Sequence, residues 1–151
     1  MRRASRAIIF RGNNLLVMHR NKFGHEYDTL VGGSVEIGES IEQSLVREVR
    51  EETSLELKNF RCVFVEDAGT MYGVQYVYLC DDPGGEVSLP EDSDEAQINK
   101  AGKNLYEPKW LPLSKLHDAP FVSEVLKQAI LDGVRQGFPE TPRQLDKTKL
   151  Y

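Results

Sequence analysis

The chain has little cysteine, no long apolar run and no surplus of positive charge, and each shortage removes a class of protein. Cys62 and Cys80 are the two cysteines, and they do not form a C-x-x-C pair. A disulfide framework is therefore not indicated, and free thiols of a cytoplasmic protein are expected. Near the N-terminus the apolar run covers 7–10, which is too short for a signal peptide or a membrane span. The formal net charge of −5 argues against a non-specific partner of nucleic acid or of a membrane surface. It leaves phosphorylated small molecules open, because a bound metal offsets their charge. No internal repeat is present. What remains is a chain of 151 residues, 40% of them hydrophobic, which suffices for one domain with a substantial core. That domain is placed at 1–137. Residues 138–151 read as a polar, proline-containing tail that covers the body or a partner subunit.

Segments rich in Val, Ile, Tyr and Phe predict strands at 4–10, 15–20, 28–31, 60–66, 71–80 and 105–111. Gly12, Asn13 and Asn14 supply turn chemistry between the first two. Pro108 puts the last strand near a sheet edge. Arg20, in a basic stretch with His19, Lys22 and His25, can approach a substrate phosphate; a solvated strand end is the alternative. Tyr72, Tyr76 and Tyr78 read as sheet packing more than as base-stacking residues. Residues 81–104 are rich in Asp, Glu, Gly and Pro and read as a long mobile loop or lid, from which an acid such as Glu91 could reach a site. Val122, Val125, Leu126, Ala129 and Ile130 share one face of a final helix over 121–135.

The most informative stretch is 32–57. Ser40 and Gln43 form a capping box that opens a helix, and Thr53 and Ser54 close it. At about 100° per residue, Ile41, Leu45, Val46 and Val49 make the buried stripe. Glu52 projects into that stripe, Glu48 lies at its edge and Glu51 beyond it, while Gln43, Arg47 and Arg50 fall on the solvent side. Three carboxylates near a core face and near the negative end of the helix dipole repel one another and resist burial. Neither arginine is expected on the Glu48–Glu52 side, so a divalent cation such as Mg²⁺ or Mn²⁺ is the simplest counter-charge. An ordinary surface helix with solvated glutamates is the competing reading.

The same string resembles the signature of the Nudix hydrolases, G-x5-E-x7-R-E-U-x-E-E-x-G-U, in which U is a bulky aliphatic residue. Gly33, Glu39, Arg47, Glu48, Val49, Glu51, Glu52 and Leu55 fill its positions, and Ser54 stands where the family has glycine. That glycine would sit past the helix end, where a left-handed backbone is often required. The resemblance implies an α/β (α+β) fold, an α/β/α sandwich around a mixed sheet. It also implies hydrolysis of a nucleoside diphosphate linked to another moiety, a small nucleotide substrate, and a homodimer as one possible assembly.

Within the resemblance, Glu48, Glu51, Glu52 and the Gly32 carbonyl would hold metal, and Glu51 or Glu52 would accept the proton of the attacking water, with Glu107 or Glu91 as alternatives. Glu107 is nominated because it stands three residues before Trp110, where the family often places an acid near the metal. Gly33, Glu39 and Arg47 read as support, the last two as an ion pair fixing the loop to the helix. Glu36 touches metal or substrate or is simply solvated. Tyr72 falls where diadenosine polyphosphate hydrolases carry a tyrosine. Two rivals stand beside hydrolysis: a non-catalytic nucleotide-binding regulatory protein of the same fold, and a diphosphate isomerase.

Overall fold

The computed structural model describes residues 2–146. Strand β1, Arg3–Arg11, is its central element. It pairs in parallel with β6, Val74–Cys80, and antiparallel with β4, Val31–Ser34. Its last residues, Phe10 and Arg11, pair with Leu15 and Asn14 of β2, Asn14–Lys22. From β6 the sheet continues to β5, Phe60–Asp67, and to β8, Arg143–Gln144. On the other limb, β2 is flanked by β3, His25–Thr29, and by β7, Asn104–Pro112. The sheet is thus mixed, as expected, and β7 is an edge strand bonded to β2.

Alternation along the strands makes two cores. Ile8, Leu15 and Val17 face one side, with Phe64, Leu126 and Ile130, beneath helix α5, Glu124–Gln136. Ala7, Ile9, Leu16 and Met18 face the other, with Leu45 and Val49 of helix α1, Ile41–Thr53. A sheet buried on both faces by helices is the α/β/α sandwich. Among the described residues no helix is long and apolar enough to cross a membrane.

Several boundaries differ from the sequence reading. The strand expected at 28–31 is two strands, because the chain passes at Leu30 from pairing with β2 to pairing with β1. Residues 69–72 form one helical turn, α2, Gly69–Tyr72, so Tyr72 precedes the strand in which it was expected. The acidic segment 81–104 holds a short helix, α3, Asp94–Asn99, capped by the Ser93 hydroxyl. A further turn, α4, Leu113–Leu116, follows β7. Helix α5 begins at Glu124, not at Phe121, whose position bridges to Asp28. The expected polar tail is tied to the body over its described residues. Phe138 packs with Phe10 and Phe64, β8 pairs with β5, and Leu145 is buried. Residues 147–151 of that segment lie outside the described residues.

Candidate functional site

Helix α1 is set rigidly at both ends. The Gln43 N–H donates to Ser40 Oγ (3.0 Å) and the Ser40 N–H to Gln43 Oε1 (2.8 Å), the reciprocal capping box. Ser54 closes the helix in the left-handed region at φ 69°, and its N–H donates to Arg50 O. Between the caps, Ser44, Leu45, Val49 and Glu52 are buried. Glu52 does project into the apolar stripe. Its Oε1 accepts the Gly32 N–H at 2.7 Å. Burial pushes its pKa up to about 8, against the opposing pull of that N–H and of Arg6. Burial also raises the Glu48 pKa, although Arg47 lies beside it.

Gly33 lets β4 lie against the helix, and Gly32 lets it lie against β1. A Cβ on Gly33 would lie 2.5 Å from the Glu48 carboxyl carbon, and one on Gly32 would lie 2.0 Å from Ser5 O. Gly32 also has φ 141°, which favours glycine. Its carbonyl accepts from Arg6 Nη1 at 3.3 Å.

Arg47 is not on the solvent side. Its Nε and Nη2 form a fork on Glu39 at 2.7 and 3.0 Å, and Nη2 also donates to Ser34 O at 3.0 Å. Its Nη1 donates to Glu48 Oε1 at 3.0 Å and to Glu51 Oε2 at 3.2 Å. The helical projection gives the direction of Cβ, not the reach of a long side chain, which here curls back over the loop. The fork holds the Glu39 pKa below the usual range and raises that of Arg47. Glu36 is exposed, with its carboxylate 3.7 Å from Arg47.

The acids sort themselves. Carboxylate oxygens of Glu48, Glu52 and Glu95 lie within 4.8 Å of one another. Glu95 belongs to α3, and burial raises its pKa with help from the Glu51 charge. It is the acid that the 81–104 segment brings to the site; Glu91 stays exposed. Glu51 is exposed and stands outside the triplet, held by Arg47. Glu107 is a correction. It pairs in register with His19, whereas its neighbour Tyr106 pairs with Arg20 and lines the cleft with it. Alternation sends Glu107 and His19 to the opposite face, where His19 meets Asp28 at 2.6 Å. Three hard oxygens converging where burial penalises negative charge suit a divalent cation. The residues present therefore fit such an ion.

The triplet opens on a cleft of about 660 Å³ lined on its other walls by Arg2, Arg6, Arg20, Lys22, His25, Tyr27, Tyr72 and Tyr106. The Arg20 guanidinium lies 3.7 Å from the Tyr106 ring centroid, and its Nε donates to Leu105 O at 3.2 Å. Arg6 donates to Gln75 Oε1 at 2.9 Å and to Leu30 O at 3.3 Å. Sequence reasoning missed Arg6 and Glu95. A charge interrupting an apolar strand was the available signal for Arg6. For Glu95 it was Ser93 followed by two acids, the signature of a helix start.

The NUDIX domain model matches residues 1–129. Among curated proteins, the NAD-capped RNA hydrolase NudC of Pectobacterium atrosepticum is 29% identical over 126 residues, which cover 83% of this chain and 44% of that protein. The NudC of Shigella dysenteriae is 25% identical, covering 83% and 45%. The chain thus spans less than half the length of these relatives. Among solved structures, the E. coli ORF135 protein superposes with a TM-score of 0.66 at 22% identity, covering 93% of this chain and 94% of that one. An ADP-ribose pyrophosphatase from Streptococcus suis superposes with a TM-score of 0.65 at 19% identity, covering 98% of each chain. These two likenesses carry the fold.

Proposed function

The chain belongs to the Nudix family, and from that membership we propose that it is a pyrophosphohydrolase dependent on Mg²⁺ or Mn²⁺, cleaving the diphosphate bond of a small nucleoside diphosphate derivative. The observation that carries this reading is the convergence of the Glu48–Glu52–Glu95 oxygens in a cleft also lined by Arg2, Arg6 and Arg20. Those three side chains would hold the cation, with Glu51 and the Gly32 carbonyl as neighbouring oxygen donors. Bound there, a divalent ion neutralises diphosphate oxygens and lowers the pKa of water.

The chain's own residues do the rest. Arg20, fixed on the cleft wall by Tyr106 and Leu105 O, presents a planar cation to phosphate oxygens. Arg6, Arg2 and Lys22 extend that positive wall. Tyr27, Tyr72 and Tyr106 offer aromatic surface to a nucleoside. A volume of about 660 Å³ suits a nucleotide-sized ligand. Glu51, exposed and restrained by Arg47, is the group assigned to take the proton of the attacking water. Arg47 and Glu39 hold the loop and helix in register for these groups.

The test is a panel of ADP-ribose, NAD, NAD-capped RNA, nucleoside triphosphates, dinucleoside polyphosphates and nucleotide sugars, assayed with Mg²⁺ and with Mn²⁺. At least one should release a nucleoside monophosphate. Glu51→Gln should slow that turnover by about 10²-fold or more; a near-wild-type rate removes Glu51 from the mechanism. Tight binding across the panel without product would instead favour a nucleotide-binding regulator.

A further inference from the structure

We propose that Ser54, which stands where the family signature has glycine, is a positioning residue whose hydroxyl docks the 81–93 segment onto the end of α1 and thereby sets Glu95 against Glu48 and Glu52. The inference rests on the reading of Glu95 as a member of the cation-holding triplet.

Ser54 adopts φ 69° and ψ 5°, a left-handed conformation that costs an L-residue energy and costs glycine none. The side chain that replaces glycine is engaged. Its Oγ donates to Ser88 O at 2.7 Å and lies 3.1 Å from Ser88 Oγ. The Ser88 N–H donates to Thr53 O at 3.0 Å, so Ser88 is gripped through its amide and its carbonyl by consecutive residues of the helix end.

From Ser88 the path to Glu95 is short and stiff. Pro90 O accepts both the Ser93 N–H and the Ser93 hydroxyl, at 3.1 and 2.7 Å. Ser93 Oγ accepts the Ala96 N–H at 3.1 Å and opens α3, which carries Glu95 in its first turn. At the far end, the Asn99 carboxamide donates to Tyr106 O and accepts the Tyr106 N–H, at 2.8 and 2.7 Å, pinning α3 to β7. Glu95 therefore hangs between two moorings, one on the β7 edge and one on α1. Glycine at position 54 would keep the turn and lose the hydroxyl half of the second mooring.

The decisive variant is Ser54→Gly, which relieves the backbone and so leaves the melting temperature unchanged or higher. Amide hydrogen exchange over 88–99 should quicken in it by about fivefold, the scale of one net hydrogen bond. Mn²⁺ titration should show a dissociation constant raised by a similar factor. In a Glu95→Gln background the same substitution should have no further effect on Mn²⁺ binding, because the two act through one group. Ser54→Asn, which tolerates the left-handed region and keeps a donor, should restore binding. Wild-type Mn²⁺ affinity in Ser54→Gly, or an equal loss with and without Glu95, overturns the inference while leaving the triplet intact. If Glu95→Gln alone binds Mn²⁺ as well as the wild type, the triplet reading fails and this inference falls with it.

Discussion

Glu52 is a buried acid at the cleft wall, hydrogen-bonded to the Gly32 amide, and its burial has a measurable sign. Burial lifts its pKa to about 8 in the folded, cation-free chain. An unfolded glutamate titrates near 4.3. Between those values the folded state binds the extra proton, so its stability is greatest below the unfolded pKa and drains away as pH rises through about 8. Urea unfolding in excess chelator should show a lower midpoint at pH 8.5 than at pH 5. Glu52→Gln should reduce that difference, since the amide still accepts from Gly32 and carries no charge, and leave the smaller part that the raised Glu48 and Glu95 carboxyls contribute. Divalent-ion affinity should run the other way, rising through the same interval as the competing proton leaves. A midpoint that rises from pH 5 to 8.5 would contradict the buried-acid assignment.

At the scale of the element, α1 is coupled to the loop before it through Arg47. A lysine cannot reproduce the fork on Glu39 together with the contacts to Ser34 O, Glu48 and Glu51. Arg47→Lys should cost about 1–2 kcal/mol in denaturant unfolding, and exchange should quicken over 34–40; unchanged exchange there would show that the loop stands without it. The caps of this helix and the inward aim of Glu52 were legible in the sequence because they depend on neighbours a few positions away. The course of the Arg47 side chain was not legible in the helical projection, and only the family resemblance pointed to Glu39, because the side chain reaches eight and thirteen positions back, to Glu39 and to Ser34 O. Helix α3 was hidden for another reason. No residue in it is buried, so apolar periodicity had nothing to mark. Glu107 was misplaced because its face is fixed by the register of β7 on β2, which the residues around Trp110 do not declare.

In the whole molecule, alternation gave away the strands but not their partners. The parallel pairing of β1 with β6 joins residues about seventy positions apart, and nothing local announces it. Nor did composition choose between the body and a partner subunit as the surface that the segment after Gly137 covers. Phe138 sits against Phe10, Phe64 and the bare backbone of Gly133. Phe138→Ala should cost about 2–3 kcal/mol, read as a lower midpoint in denaturant; wild-type stability would make the returning segment dispensable. The final consequence lies in how β1 divides its pairing. Most of its length belongs to the limb that carries α1, and its last two residues make the ladder to the limb of β2, β3 and β7. Glu48 and Glu52 ride on the first limb, while α3 moors Glu95 to the second. An ion seated among those oxygens is thus a rivet through two plates, and fastening it should stiffen β2 and β7 well beyond the reach of its own coordination.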